Sequence, residues 1–479
     1  MAELENSCCT PAAQANCCDP SEKTSCCGEG HGEGCGCAAG STSASATAAT
    51  AVAERVRETI REKYAAAAKA AATTGPAAGS GATTVTYWTS LDPADPGPRS
   101  KAQTQIISNF MAANPDIKVD VVAMNYAKIN PGLIQGVPAS TGPDVVKVFQ
   151  PWMTQVVKAQ TLSPLNDLVA KWPKEQQEDF LFPLSTTTFD GSTYALLHEA
   201  RCDIFWYRKD LLDKAGLTLP KTWDEVGTVA GKLTTDRLIG YGISASTQGG
   251  AASIAEWFHP LLWGAGAELF DKDGKAIVNS AGGVKAIQWV RDLVAKYKGA
   301  PQSVANMTTD AQLDGVKSGT IAMATDQSGR LSSARAGEGI GTNLATATIP
   351  SFEAGKPGPT GASGQTLAIG RFSKNKEAAW RFIEFYLKPE SQLIDVKTSA
   401  TLPSRKSPYN DAFFKAEGAE MKTWADYMVT SGRMPILPET YQRLLELEAT
   451  AIQKVILSNA DPKPALDEAV QTYNGELKG

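Results

Sequence analysis

From Thr83 onward the chain alternates short apolar runs with longer stretches of helical periodicity, and this restricts the fold more than any other feature. Val85-Thr86-Tyr87-Trp88 reads as a strand and residues 102–113 as a helix stopped by Asn114-Pro115, because the residue before a proline disfavours helical backbone. Residues 117–122 alternate apolar and polar, and 144–149 form a further apolar run. Strand, helix, strand in that order predicts βαβ units, a largely parallel sheet and the α/β class. Longer helices are predicted over 284–297, 376–387 and 441–457. Local punctuation agrees with this. Asp190-Gly191 suits a tight turn between strands. Gly216 suits the end of a helix. Thr222 with Glu225 three residues on forms a capping box.

Composition excludes some partners. A formal net charge of −5 gives no basic face for nucleic acid or an anionic membrane surface. No stretch reaches the roughly 18 apolar residues of a membrane span. The first forty residues are acidic, Cys- and Gly-rich, with no apolar run of the kind an export signal needs and no lipidated-cysteine motif. Of the nine cysteines, all but Cys202 lie between Cys8 and Cys37, so no disulfide is expected within the large body.

The chain reads as three zones. Residues 1–40 carry the pairs Cys8-Cys9, Cys17-Cys18 and Cys26-Cys27 at a constant step continued by Cys35, with Cys37 close by. They have almost no large apolar side chain, which predicts disorder. Residues 41–82 hold a short Ala-rich helix, with Val56, Ile60 and Tyr64 on one stripe, and a Gly/Ser linker. The third zone runs from Thr83 to the end.

That third zone resembles the extracellular solute-binding proteins of ABC importers, the sugar-type group that includes maltose-binding protein. Several blocks carry the resemblance in order: Tyr87-Trp88-Thr89-Ser90; Asn114-Pro115-Asp116; Gly142-Pro143-Asp144-Val145-Val146; Asp190-Gly191-Ser192-Thr193-Tyr194; Trp206-Tyr207-Arg208-Lys209-Asp210; Pro220-Lys221-Thr222-Trp223; Ser318-Gly319-Thr320-Ile321-Ala322-Met323; and Leu402-Pro403-Ser404-Arg405. The resemblance implies a two-lobed periplasmic-binding-protein fold with a hinge and an interlobe cleft. It implies capture of a mono- or oligosaccharide without catalysis, the membrane subunits of an ABC importer as partners, a monomer, and a place outside the cytoplasmic membrane. No cofactor is expected. One lobe is expected over 83–188 plus 324–370, the other over 189–323 plus 371–479.

A sugar site wants aromatic platforms and planar polar groups at strand ends. Trp88 and Ser90 end the first strand, Gln150 and Trp152 the 144–149 strand, and Asp326-Gln327 the 322–324 run. Glu199, Arg201 and Asp203 alternate along one strand face where the chain is expected to cross between lobes. Trp257 is a candidate platform, Ser363 lies in a small-residue loop, and Arg405 follows a proline. Each has a second reading: packing for the tryptophans, an interlobe ion pair for the alternating charges, a turn for the loops, and a solvent-facing side chain for Arg405. No G-x-S-x-G elbow, P-loop or H-E-x-x-H is present.

The front end has its own resemblance. The Cys-pair leader with Val56-Arg57-Glu58-Thr59-Ile60-Arg61-Glu62-Lys63-Tyr64 is similar to the start of bacterial arsenite methyltransferases, but no glycine-rich loop after a strand follows. Cys8, Cys9, Cys17, Cys18, Cys26, Cys27, Cys35 and Cys37 are thus candidate soft-metal ligands, and a metal- or arsenic-binding fusion protein is the alternative reading.

Overall fold

The computed structural model describes residues 81–248 and 251–477. The Cys-rich leader, the Ala-rich helix and most of the linker lie outside the described residues.

In chain order the first elements are β1 (Thr83–Thr89), α1 (Pro98–Ala113), β2 (Ile117–Ala123), α2 (Tyr126–Gly136), β3 (Val145–Phe149), α3 (Met153–Lys158) and β4 (Ala195–Leu197). Then come the long β5 (Glu199–Arg208), α4 (Trp223–Leu233), β6 (Ile239–Gly242), α5 (Ile254–Gly264), α6 (Ala281–Ala295) and β7 (Ile321–Gln327). The chain ends through β8 (Thr360–Ser363), β9 (Gln365–Ile369), α7 (Lys376–Tyr386), α8 (Pro389–Ser399), β10 (Leu402–Pro403), α9 (Ala419–Ser431), α10 (Tyr441–Leu457) and α11 (Pro462–Glu476).

Local chemistry sets several boundaries. Asn114 caps α1, its side-chain amide donating to Phe110 O at 2.9 Å. The Thr222–Glu225 capping box opens α4. Asp190 and Gly191 both take positive φ (48° and 76°) between the paired strands Thr188–Phe189 and Ser192–Thr193, the backbone a two-residue hairpin turn requires.

One sheet has the order β2-β1-β3-β9-β4, with β1 parallel to β2 and β3 and β9 antiparallel to β3 and β4. The second centres on β5, which runs antiparallel to β7, β8 and β10, while β6 is parallel to β7. The sheets are therefore mixed rather than largely parallel, because strands that return from the other lobe meet β5 and β3 head to tail.

Each sheet has its own core. Val85, Tyr87, Ile106, Phe110, Leu196 and Leu367 pack together on one face of the first sheet, and Ile129, Leu133, Val146, Val148 and Met153 on the other. The second core gathers Phe205, Trp223, Tyr241, Trp289 and Leu444, with Trp223 edge-on to Trp289 at 4.8 Å. This packing redraws the expected lobe boundaries. β4 pairs within the first sheet, whereas β7 and β8 pair with β5 in the second. Helix α7 puts Trp380, Phe382 and Ile383 against Val85 and Phe110, so this helix belongs with the first lobe, not the second. The periodicity shows that α7 has an apolar face but not which core that face meets.

The chain crosses between lobes three times, all beside Glu199: from β4 into β5, from β8 into β9, and at β10, where Pro403 pairs with Glu199. Gly364 lies between β8 and β9, and a Cβ there would sit 2.1 Å from Glu199 O. Only glycine lets two crossing backbones approach so closely.

Candidate ligand-binding cleft

Alternation along β5 places Glu199, Arg201 and Asp203 on one face, with Ala200 and Cys202 packed into apolar surroundings on the other. Glu199 is 1 % exposed. Arg99 Nη2 donates to its two oxygens at 2.9 and 2.7 Å, Arg201 Nε donates to Oε1 at 3.0 Å, and Lys147 Nζ lies 3.8 Å from Oε2. Burial alone would raise its pKa, but Arg99, Arg201 and Lys147 together hold it well below the usual carboxylate range. Its oxygens are taken by these cations, so the ion-pair reading applies to Glu199 and the ligand-contact reading does not. Burial lowers Lys147 to about 8 against the pull of Glu199, and raises Asp395 to about 6 against the pull of Lys147.

Arg201 differs from Glu199. Its side chain is 18 % exposed, and among the described residues no protein group accepts from its Nη1. Its guanidinium carbon lies 5.9 Å from the centre of the Phe149 ring. Phe149 belongs to an aromatic shelf: Trp152 is edge-on to it at 5.7 Å, and Tyr126 lies 4.7 Å from Trp152. All three rings are half-buried. Ser363 pairs with Arg201 across β8 and is also half-buried. Trp88 is half-buried against the α2–α3 side of the first sheet, and Ser90 is exposed beside it.

Gln150, expected in the cleft, is 3 % exposed. Its amide donates to Thr186 O at 3.1 Å and Pro435 O at 3.4 Å, and Lys158 pairs with Glu439 at 3.1 Å. Gln150 is thus an anchor where the first lobe meets the 435–439 loop of the second, not a free ligand contact.

Asp203 heads an acid-rich cluster. Arg330 donates from Nη1 to Glu256 Oε2 (2.6 Å) and Asp326 Oδ1 (2.7 Å), and from Nη2 to Glu256 Oε1 (3.0 Å). Asp203 and Asp326 are 5 % and 1 % exposed. A Cβ on Gly361 would lie 2.2 Å from Asp203 Oδ2, so β8 approaches this carboxyl only through a glycine. Burial first, then Glu256 and Asp326, push Asp203 well above the carboxylate range. Burial raises Asp326 to about 7, with Arg330 opposing and Glu256 adding. Both aspartates serve the interior of this cluster rather than a ligand. Gln327 opposite Asp203 stays half-buried, and a Cβ on Gly329 would lie 3.9 Å from Arg201 Cδ, so the β7 end adjoins the Arg201 site.

Two further expectations fail. Trp257 is 1 % exposed in the second core, its Nε1 donating to Ser244 O at 2.9 Å. Arg405 is 4 % exposed, 5.1 Å from the Trp172 ring and 4.5 Å from Phe180, paired with Asp179 at 3.4 Å; it packs inside the first lobe. The residues missed are Tyr126, Phe149, Arg99, Lys147, Glu256 and Arg330. A lysine inside the apolar run 145–149 signals a buried cation. Arg330 four residues after Asp326 signals a local ion pair. Nothing in the sequence brings Tyr126 to Trp152.

No group of three His, Cys, Asp or Glu among the described residues is arranged to hold a metal ion, and the candidate leader cysteines lie outside the described residues.

The chain matches known proteins over the same span. A binding protein of Brucella abortus (strain 2308) is 24% identical over 373 residues, covering 77% of this chain and 88% of its own. The galactooligosaccharide-binding protein of Bacillus subtilis (strain 168) is 25% identical over 376 residues, covering 76% and 84%. Among solved structures, the cyclic alpha-maltosyl-1,6-maltose binding protein from Arthrobacter globiformis superposes with a TM-score of 0.71 at 21% identity, covering 83% of this chain and 100% of that one, which shows the two-lobed fold. The family model for the bacterial extracellular solute-binding protein matches residues 93–393, from the loop after β1 into α8. The hinge, the aromatic shelf and both lobes' cores thus lie mostly within the matched span, and the chain belongs to the bacterial extracellular solute-binding protein family.

Proposed function

We propose that this protein captures a mono- or oligosaccharide between its two lobes and delivers it to the membrane subunits of an ABC importer outside the cytoplasmic membrane, acting as a monomer and catalysing nothing. The observation that carries the reading is the half-buried shelf of Tyr126, Phe149 and Trp152 beside Arg201, with Ser363 and Gln327 on the adjoining strands. Aromatic faces stack on the apolar face of a sugar ring while planar donors and acceptors meet its hydroxyl edge. The three crossings beside Glu199 supply a hinge that can close the lobes over such a ligand. The galactooligosaccharide-binding relative supports the same substrate class.

The test is a thermal-shift scan of the full chain against neutral and acidic sugars, polyols and glycerol phosphates. A ligand at about 100 times its dissociation constant adds about 2.7 kcal/mol of stability. A selective rise in melting temperature for one sugar class supports the reading. A well-folded sample that responds to none of them rejects it.

A further inference from the structure

Resting on the sugar-binding reading, we infer that the ligand carries an anionic group, which seats on Arg201 at the edge of the aromatic shelf. The argument is one of charge imbalance at a fixed place. Three cations, Arg99, Lys147 and Arg201, converge on Glu199, and counting the neighbouring Asp395 as the second carboxyl still leaves a surplus of one cation. Arg99 is anchored with both Glu199 oxygens on one nitrogen, and Lys147 is 4 % exposed. Arg201 spends Nε and Nη2 on Glu199 Oε1, which locks the plane of its guanidinium. Among the described residues its Nη1 has no protein acceptor, and the group stands 5.9 Å from the Phe149 ring. A ligand ring on the shelf therefore meets a pre-oriented cationic donor with no competing acidic side chain bonded to Nη1. Charge-assisted hydrogen bonds from a held guanidinium favour carboxylate or phosphate oxygens over hydroxyl groups.

A few residues along the same strand the balance reverses. Glu256, Asp326 and Asp203 surround Arg330. That cluster satisfies its guanidinium internally, with Nη1 and Nη2 both engaged, so it does not compete for the ligand's anionic group. The site thus favours a hydroxylated molecule with one acidic end, either the carboxylate of a sugar acid or the phosphate of a polyol phosphate.

The experiment pairs ligands that differ only in the charged group: glucuronate against glucose, galacturonate against galactose, gluconate against sorbitol, and glycerol 3-phosphate against glycerol. Full-chain protein is assayed by thermal shift and calorimetry at low and at 0.5 M salt, as wild type and as Arg201→Gln and Arg201→Lys. The expected result is tighter binding of the acidic member of a pair. Arg201→Gln should weaken it about tenfold to a hundredfold, Arg201→Lys less, and salt should weaken it too. Glu199 keeps Arg99 and Lys147 in both variants, and the melting temperature without ligand checks that the fold is retained. Response to carboxylates alone or to the phosphate alone identifies the source of the charge. Neutral members binding as well as their acidic partners, or tight acidic binding untouched by Arg201→Gln, overturns the inference while leaving sugar binding in place. No response to any member overturns both.

Discussion

Two charged clusters share one face of β5, and they are unbalanced in opposite directions. Around Glu199 there are three cations and two carboxyl groups, Glu199 itself and the neighbouring Asp395; around Arg330 there are three carboxyl groups and one guanidinium. They handle the surplus differently. The cation-rich cluster leaves its surplus facing the cleft, with Arg201 18 % exposed. The acid-rich cluster buries its surplus in Asp203 and Asp326, whose pKa values are raised chiefly by burial and further by the neighbouring carboxyls. An arginine cannot shed its proton, so a surplus of arginine needs solvent or a ligand, whereas a surplus of aspartate can be neutralised where it stands. The same residue types, set two positions apart on a strand, thus make a binding surface in one place and a structural core in the other.

The comparison breaks most readily at Glu199. Glu199→Gln removes the carboxylate on which three cations converge. The expected loss is about 3 kcal/mol of unfolding free energy at neutral pH, at the low end for a broken buried pair because Arg99 and Arg201 reach solvent. Urea denaturation measures it, and a loss below about 1 kcal/mol would show that the crossing strands do not depend on the cluster. Arg330→Met should cost less, about 2 kcal/mol, because Asp326 can take up a proton when its partner goes. That loss should grow as pH rises from 6 to 8; a loss independent of pH would mean that the carboxyls remain ionised.

How much of this was legible depended on whether the signal was local. The capping box at Thr222, the turn at Asp190-Gly191 and the helix stop at Asn114-Pro115 depend on neighbours in sequence, and each is visible there. The alternation of Glu199, Arg201 and Asp203 on one strand face was legible too. What each one meets was not, because Arg99 is 100 residues from Glu199 and Phe149 comes from the other lobe's sheet. Trp257 and Arg405 show the limit from the other side. A tryptophan on a helix and an arginine after a proline carry no mark of whether they face a cleft or a core, and the long-range packing that decides it leaves no period in the chain. The lobe boundary failed at α7 for the same reason.

A finer division between the clusters comes from pH. Asp326 has its folded pKa raised to about 7 from an unfolded value near 3.9. The folded state therefore holds more protons than the unfolded one in that window, and this group's contribution to stability is full below about pH 4 and lost as pH rises through about 7. Asp326→Asn should flatten that decline, by about 2–3 kcal/mol between pH 5 and 8. Glu199 has a lowered pKa, so its contribution has the opposite sign: it is present above the unfolded value near 4.3 and lost as pH falls through the folded one. Both neutral variants resemble the protonated side chain, so toward pH 8 the Glu199→Gln curve should lie below wild type and the Asp326→Asn curve above its extrapolated decline, while toward pH 3 both differences shrink. Differences that change in the same direction with rising pH would mean that the two clusters titrate as one.

The smallest effect on stability is expected from the shelf, where it separates a binding surface from a core most sharply. Trp152 is half-buried and touches Tyr126 and Phe149 through ring contacts rather than hydrogen bonds. Trp152→Ala should cost about 1 kcal/mol of stability, in line with loss of a partly exposed aromatic contact. If the ring is a platform, the same change should remove most of the ligand-induced rise in melting temperature, because stacking area on the ligand is lost while Arg201 stays in place. A cost of several kcal/mol with the ligand response intact would mark Trp152 as core, like Trp257. The platform would then rest on Tyr126 and Phe149 beside Arg201.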